Sequence, residues 1–188
     1  MPRRSATPLG TFLGLALGRY GFRGRAALSF VIFMAIAVPE IVLGSSLLAM
    51  FVEVQAPLGI ITILLAHIGF DTPFVAVTVQ ARVSGMDVSM EEAAKDLYAT
   101  PIVAFLRVTL PLIAPGIVAG FMLAFVLSLD DFVITQFVSG QTVTFPLWVY
   151  GATRIGMPPS VNMFGTLLFL GGVVLAGVGA LARMRAPR

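Results

Sequence analysis

The chain is 188 residues long, 58% hydrophobic and only 11% charged, with a mean hydropathy of +0.99. Globular domains carry about 25% charged residues, so this composition excludes a soluble globular domain, a disordered chain and a collagen-like one. What remains is an integral membrane protein, and its long apolar runs mark helices rather than the alternating segments of a barrel. The absence of cysteine removes disulfides, thiolate metal sites and cysteine nucleophiles, and a single histidine cannot build a histidine-rich metal centre. The net charge of +3 comes from basic residues in loops beside apolar segments, as membrane topology requires, so no nucleic acid is expected as a partner.

The first apolar segment, Leu9 to Gly18, lies between arginines (Arg3, Arg4 and then Arg19, Arg23, Arg25). It is too short for a bilayer, which needs about 20 apolar residues. Gly10, Gly14 and Gly18 recur every fourth residue, a close-packing face for membrane helices. A signal peptide competes as a reading of this start, but the arginines that follow argue against cleavage there. The segment therefore reads as a partial helix over 5–18, the tail of a membrane helix whose beginning is absent.

Four spans are predicted after it, over about 26–52, 58–81, 111–138 and 161–182. The first of these is interrupted by Pro39-Glu40, and the last two carry small residues at four-residue spacing: Gly116, Gly120, Ala124 and Ser128, then Gly172, Ala176 and Ala180. Arg19, Arg23 and Arg25, then Arg82, Lys95 and Arg107, then Arg183, Arg185 and Arg188 fall on one side of the membrane, and Arg154 alone on the other. The positive-inside rule makes the basic side cytoplasmic, and with it the 82–110 loop and the C-terminus.

That loop is the longest polar stretch. Ser89 with Glu92 three residues on is a capping-box pattern, and Glu91 and Lys95 form a favourable i,i+4 pair. Met90, Ala93, Ala94 and Leu97 share one helix face, which is therefore apolar. Pro101 pushes Thr100 out of helical geometry and suits the start of a second helix, expected to run to about Val108 and stop before Pro111. On the residues alone, this helix pair lies on the membrane surface, packs on its own bundle or docks onto a cytoplasmic partner, or else is a solvated connector.

Glu92-Ala93-Ala94 followed at the right interval by Leu110-Pro111 resembles the EAA loop of ABC-importer permease subunits. Val108 matches the family's branched residue, whereas Tyr98 stands where the family has a glycine that closes the first helix, a position expected at positive φ. Arg19 to Gly24, Pro39 to Gly44 and Leu127 to Thr135 are similar to the second permease subunit of spermidine/putrescine importers. The resemblance implies an all-α, polytopic transmembrane helical bundle of the ABC-importer permease (MetI-like) type, here with four full spans plus the partial N-terminal helix. The family has six spans, so the chain is expected to start inside the second. Glu91, Glu92, Ala93, Ala94, Asp96, Leu97, Tyr98, Val108, Leu110 and Pro111 are then expected to form the ATPase-coupling loop. Implied partners are a cytoplasmic ATP-binding subunit dimer, a second permease subunit, an extracytoplasmic solute-binding protein and membrane lipid, in a bacterial plasma (inner) membrane. No cofactor is bound and no covalent chemistry is expected, because the chain has no phosphate-binding glycine loop.

Four acids fall inside predicted spans: Glu40, Asp71, Asp130 and Asp131. Each costs about 2.5–3.5 kcal/mol at mid-membrane, so each calls for protonation, hydrogen bonding, or a cation or water path. Asp130 and Asp131 are assigned to the substrate pathway or its gate. Glu40 is read either as a pathway residue or as a cap on the backbone donors freed at Pro39, and Asp71 with His67 as a proton relay or an interhelical polar contact. Two readings compete with the importer: a proton-coupled secondary transporter, and a non-transporting truncated permease fragment.

Overall fold

The computed structural model describes residues 3–87, 89–156 and 158–185, with side chains placed for 6–87, 89–156 and 158–174. Among these residues it is helical with connecting turns: α1 (Arg3–Arg19), α2 (Arg25–Ala37), α3 (Glu40–Glu53), α4 (Ile60–Ser84), α5 (Ser89–Asp96), α6 (Pro101–Ala104), a π-helical turn (Phe105–Thr109), α7 (Leu110–Asp130), α8 (Val133–Val138), α9 (Phe145–Ile155) and α10 (Pro159–Arg185). The chain divides into one unit that ends at Thr142 and another that begins at Val143.

In the first unit α4 is the axis. Its Val75, Ala76, Val79 and Val83 are all buried, because helices pack on it from two sides. On one side lies the glycine face of α1. A Cβ at Gly10 would fall 2.5 Å from Val75 Cβ, at Gly14 2.5 Å from the Ala76 carbonyl oxygen, and at Gly18 2.8 Å from Val83 Cβ. The contacts advance in the same direction along both chains, so α1 and α4 run parallel, backbone close to backbone. On the other side, Gly116 and Gly120 of α7 meet Arg82 and Val75 in antiparallel register, at 2.7 and 3.1 Å from the position a Cβ would take. Lipid tails are as apolar as these side chains, so dispersion across such close contacts, rather than escape from water, holds the helices together. The opposite faces remain bare: Phe30, Val31 and Phe33 of α2 and Ile60 and Ile61 of α4 are exposed, as lipid-facing residues are.

Two breaks shape the bundle. Between α2 and α3 the chain turns by 101°. Pro39 has no N–H to continue α2, and it holds Val38 in an extended conformation (φ −66°, ψ 127°). α3 then packs on α8, with Gly44 against Phe137, and Phe51, Ala66, Phe70, Ile134 and Val138 form the core beneath them. The second break follows Asp130. Asp131 is extended (φ −61°, ψ 114°), and the rest of the expected 111–138 span is the separate short helix α8.

The expected helix end before Pro111 is not found. α6, the π turn and α7 form one continuous 30-residue helix, Pro101–Asp130. The Leu110 N–H reaches back to the Phe105 carbonyl, one residue further than in an α-helix, and this wider turn lets Pro111 enter without breaking the chain's course.

By length and apolarity, α4 and the Pro101–Asp130 helix can each cross a membrane, and the bent α2–α3 pair makes a third crossing if it counts as one span. In the second unit, α10 is apolar over Pro159–Val174. A Cβ at Gly172 would meet nothing within 4 Å among the described residues, and the side chains of Ala176 and Ala180 lie outside them.

Candidate functional site

Two places gather the residues singled out in the sequence. The first is the loop between α4 and α7. α5 begins at Ser89, and the expected Ser89–Glu92 capping box is replaced by an Asp87 cap. The Asp87 carboxylate accepts the Ser89 N–H at 2.9 Å, and this bond, with help from the Ser89 hydroxyl, holds the carboxyl below its ordinary value. At the other end, the Tyr98 N–H bonds the Lys95 carbonyl at 2.9 Å and the Ala99 N–H bonds the Ala94 carbonyl at 3.1 Å. That pair of bonds is a Schellman motif with Tyr98 at the left-handed position, φ 59°. The family's glycine position does adopt positive φ here, and a tyrosine occupies it with its ring in the open, 96% exposed. Thr100 caps α6 by accepting the Val103 N–H at 3.4 Å.

The two neighbouring glutamates face opposite ways. Glu92 is exposed along with Met90, Ala93, Asp96, Leu97, Tyr98, Ile102 and Leu106, so the expected apolar face lies open, fringed by acids. Glu91 turns inward. Its Oε2 pairs with Arg19 Nη2 at 2.5 Å and its Oε1 accepts the Thr109 hydroxyl at 2.7 Å. Burial pushes the Glu91 carboxyl up, but the bonds from Thr109 and Arg19 outweigh it and hold the group below its ordinary 4.5. Lys95, the expected i,i+4 partner, adds only a weaker attraction. Val108 and Leu110 are half-buried and Pro111 is exposed.

The second place is a cavity of about 280 Å³ where the two helix breaks meet, lined by Glu40, Phe70, Val126, Asp130, Asp131 and Phe132 among others. Three of the four span acids therefore share one cavity. Asp131 is buried and fully engaged. Its Oδ1 accepts the Ile134 N–H (3.1 Å), and its Oδ2 accepts the Thr135 N–H (2.8 Å) and hydroxyl (2.6 Å) and lies 3.1 Å from His67 Nε2. It is thus the cap of α8. Glu40 and Asp130 are exposed to the cavity side. Glu40 sits in the first turn of α3, whose N-cap is Pro39, and among the described residues that end has no side-chain cap bond.

His67 and Asp71 are not joined to each other by a hydrogen bond. The histidine bonds Ser128 Oγ at 2.7 Å and Thr135 Oγ1 at 3.0 Å as well as Asp131, so it ties α4 to α7 and α8. Asp71, 1% exposed, is outside the cavity lining, and its Oδ1 has no hydrogen-bond partner among the described residues. Sequence reasoning did not pick out Arg19 or Thr109 as partners of the loop. The pattern of charges held no sign of them, because they lie 72 and 18 residues from Glu91.

Residues 9–185 match the family model described as "Binding-protein-dependent transport system inner membrane component". The chain is 43% identical over 181 residues to the putrescine transport system permease protein PotI of Escherichia coli strain K12, covering 92% of this chain and 64% of that protein. It is 40% identical over 177 residues to the spermidine/putrescine transport system permease protein PotC of Haemophilus influenzae, covering 94% of this chain and 69% of that protein. The chain thus spans just under two thirds of the length of PotI. A solved structure of the inward-facing MetNI methionine ABC transporter contains a chain that superposes with a TM-score of 0.72 at 18% identity, over 100% of this chain and 94% of that one, which establishes a shared fold. The match across nearly the whole chain, with two relatives at 40% identity or above, places this protein in the family of binding-protein-dependent transport system inner membrane components.

Proposed function

We propose that the chain is a permease subunit of an ATP-driven ABC importer, and that it lines part of the path of a polyamine such as spermidine or putrescine, or a similar small cationic solute. The observation that carries this is the cavity between the two helix breaks, where Glu40 and Asp130 stand together without a basic residue in the lining. Two carboxylates in an apolar bundle call for a cation, and a linear diammonium offers one charge to each. Phe70 and Phe132 beside them add aromatic surface that suits an alkyl-ammonium chain. The names of the relatives, putrescine and spermidine/putrescine permeases, support the same solute class. Asp131 acts as the structural cap of α8, and Asp71 is buried outside the cavity lining.

In this reading the chain carries out no chemistry. A cytoplasmic pair of ATP-binding subunits docks on the open face around Glu92, Ala93 and Leu97, a second permease subunit closes the path, and an extracytoplasmic binding protein delivers the solute. ATP-driven closure pushes α5 and switches the path between inward-open and outward-open states, a rigid-body change. The 82–110 loop and the C-terminus are cytoplasmic, and α2–α3, α4, α7 with α8, and α10 make four crossings of the inner membrane. The test is uptake of labelled putrescine by the assembled complex carrying E40Q, D130N or both. Each single variant is expected to raise the half-saturating concentration about tenfold or lower the rate correspondingly, while ATP-binding subunits still co-purify. Wild-type uptake by the double variant would refute the assignment of the cavity.

A further inference from the structure

α5 is weakly held by packing. Among the described residues none of its side chains is buried, and a cavity of about 140 Å³ lies between it, Leu15 and Arg19 of α1, and Phe105 of the π turn. A helix of 8 residues with no buried side chain has little stability of its own. Among the described residues, Glu91 alone of its side chains is hydrogen-bonded or ion-paired to another element. One carboxylate oxygen is taken by Arg19, the last residue of α1, and the other by Thr109, the last residue of the π turn, with both partners of the ion pair largely shielded from water (16% and 14% exposed). Shielding is what makes such a pair hold where a surface pair contributes little. Beyond Arg19, α1 lies along α4 through Gly10, Gly14 and Gly18 with no slack for a Cβ. Beyond Thr109, the helix runs on without a break to Asp130 at the acid-lined cavity.

We infer that Glu91 is a positioning residue whose clasp on Arg19 and Thr109 makes α5 move as one body with α1 and the α7 helix, so that a push on α5 is delivered to the bundle. This rests on the reading that α5 is where the ATPase docks. The adjacent glutamates then have separate roles, with Glu92 facing the motor and Glu91 tying the coupling helix to the path. A loose α5 would still bind the ATPase and permit hydrolysis, but its movement would be absorbed in the cavity beside it.

The experiment measures solute imported per ATP hydrolysed by the complete transporter in proteoliposomes, together with the amount of ATPase retained. E91R and R19E are each expected to keep the ATPase bound and hydrolysing, while import per ATP falls about tenfold. The charge-swapped pair R19E/E91R is expected to recover at least half of the loss, with the Thr109 hydroxyl then accepting from the new arginine. Unchanged import per ATP in both single variants, or a swapped pair no better than either, would overturn the inference. Loss of the ATPase itself in E92R tests the underlying docking reading separately. Because the chain has no cysteine, R19C/E91C gives a second measurement that does not depend on charge. Joining the two thiols with a short bis-maleimide should restore the ratio lost in the unlinked pair. Linked complexes that hydrolyse ATP with no gain in import would count against the clasp.

Discussion

At the scale of single residues, Tyr98 shows how a departure from a pattern is absorbed. The Schellman bonds from Tyr98 and Ala99 require a left-handed residue after α5, and the chain meets that requirement with tyrosine at φ 59°. A non-glycine residue there costs about 1 kcal/mol, and the exposed ring makes no compensating core contact. Y98G is therefore expected to strengthen the end of α5 by about 1 kcal/mol, seen as roughly fivefold slower hydrogen exchange of the Ala99 amide. Equal or faster exchange would mean that the ring holds the turn by contacts outside this chain. The left-handed geometry was legible at this position from the family pattern alone. The inward turn of Glu91 was not, because it depends on Arg19 arriving from another helix.

At the scale of elements, glycines spaced by four residues state that something must come close, but not what. Tertiary structure makes α4 the partner of both α1 and α7. Gly14 is the most demanding position of α1, since a methyl group there would meet the Ala76 oxygen, the Gln80 nitrogen and Val79 Cβ, all within 2.9 Å. Two of these are backbone atoms that cannot rotate away. G14A is expected to cost about 1–3 kcal/mol and to lower the melting temperature of the purified protein by several degrees. G21A, where a Cβ would meet nothing within 4 Å, should leave it unchanged. A melt in which the two variants behave alike would argue against the α1–α4 contact. The same scale explains why the helix does not end at Pro111. Proline in a helix reads as a stop, whereas a π turn one residue wider carries the helix through it.

At the scale of the whole molecule, Glu92 and the apolar Met90, Ala93, Leu97, Tyr98, Ile102 and Leu106, from both halves of the loop, are all exposed. On the proposed cytoplasmic placement of the loop, these exposed apolar residues are where the ATP-binding subunits dock. E92R is expected to abolish import while the chain still inserts into the membrane, with loss of the ATP-binding subunits on purification as the readout. Retention of those subunits with normal import would place the docking surface elsewhere. The helical class and the membrane setting followed from composition and long apolar runs, and the permease family from the Glu92-Ala93-Ala94 and Leu110-Pro111 pattern, because these are local properties of consecutive residues. What the acids do was decided only by folding. All four carboxylates fell inside predicted spans, but Asp131 proved to be a helix cap, Asp71 is buried outside the cavity lining, and Glu40 and Asp130 are exposed at the cavity. The physical reason is that a carboxylate's role is set by which donors lie within about 3 Å of it. Glu91 is set by Arg19 and Thr109, which only the tertiary fold brings near, whereas Asp131 is held mainly by its own neighbours Ile134 and Thr135, with His67 alone arriving from α4.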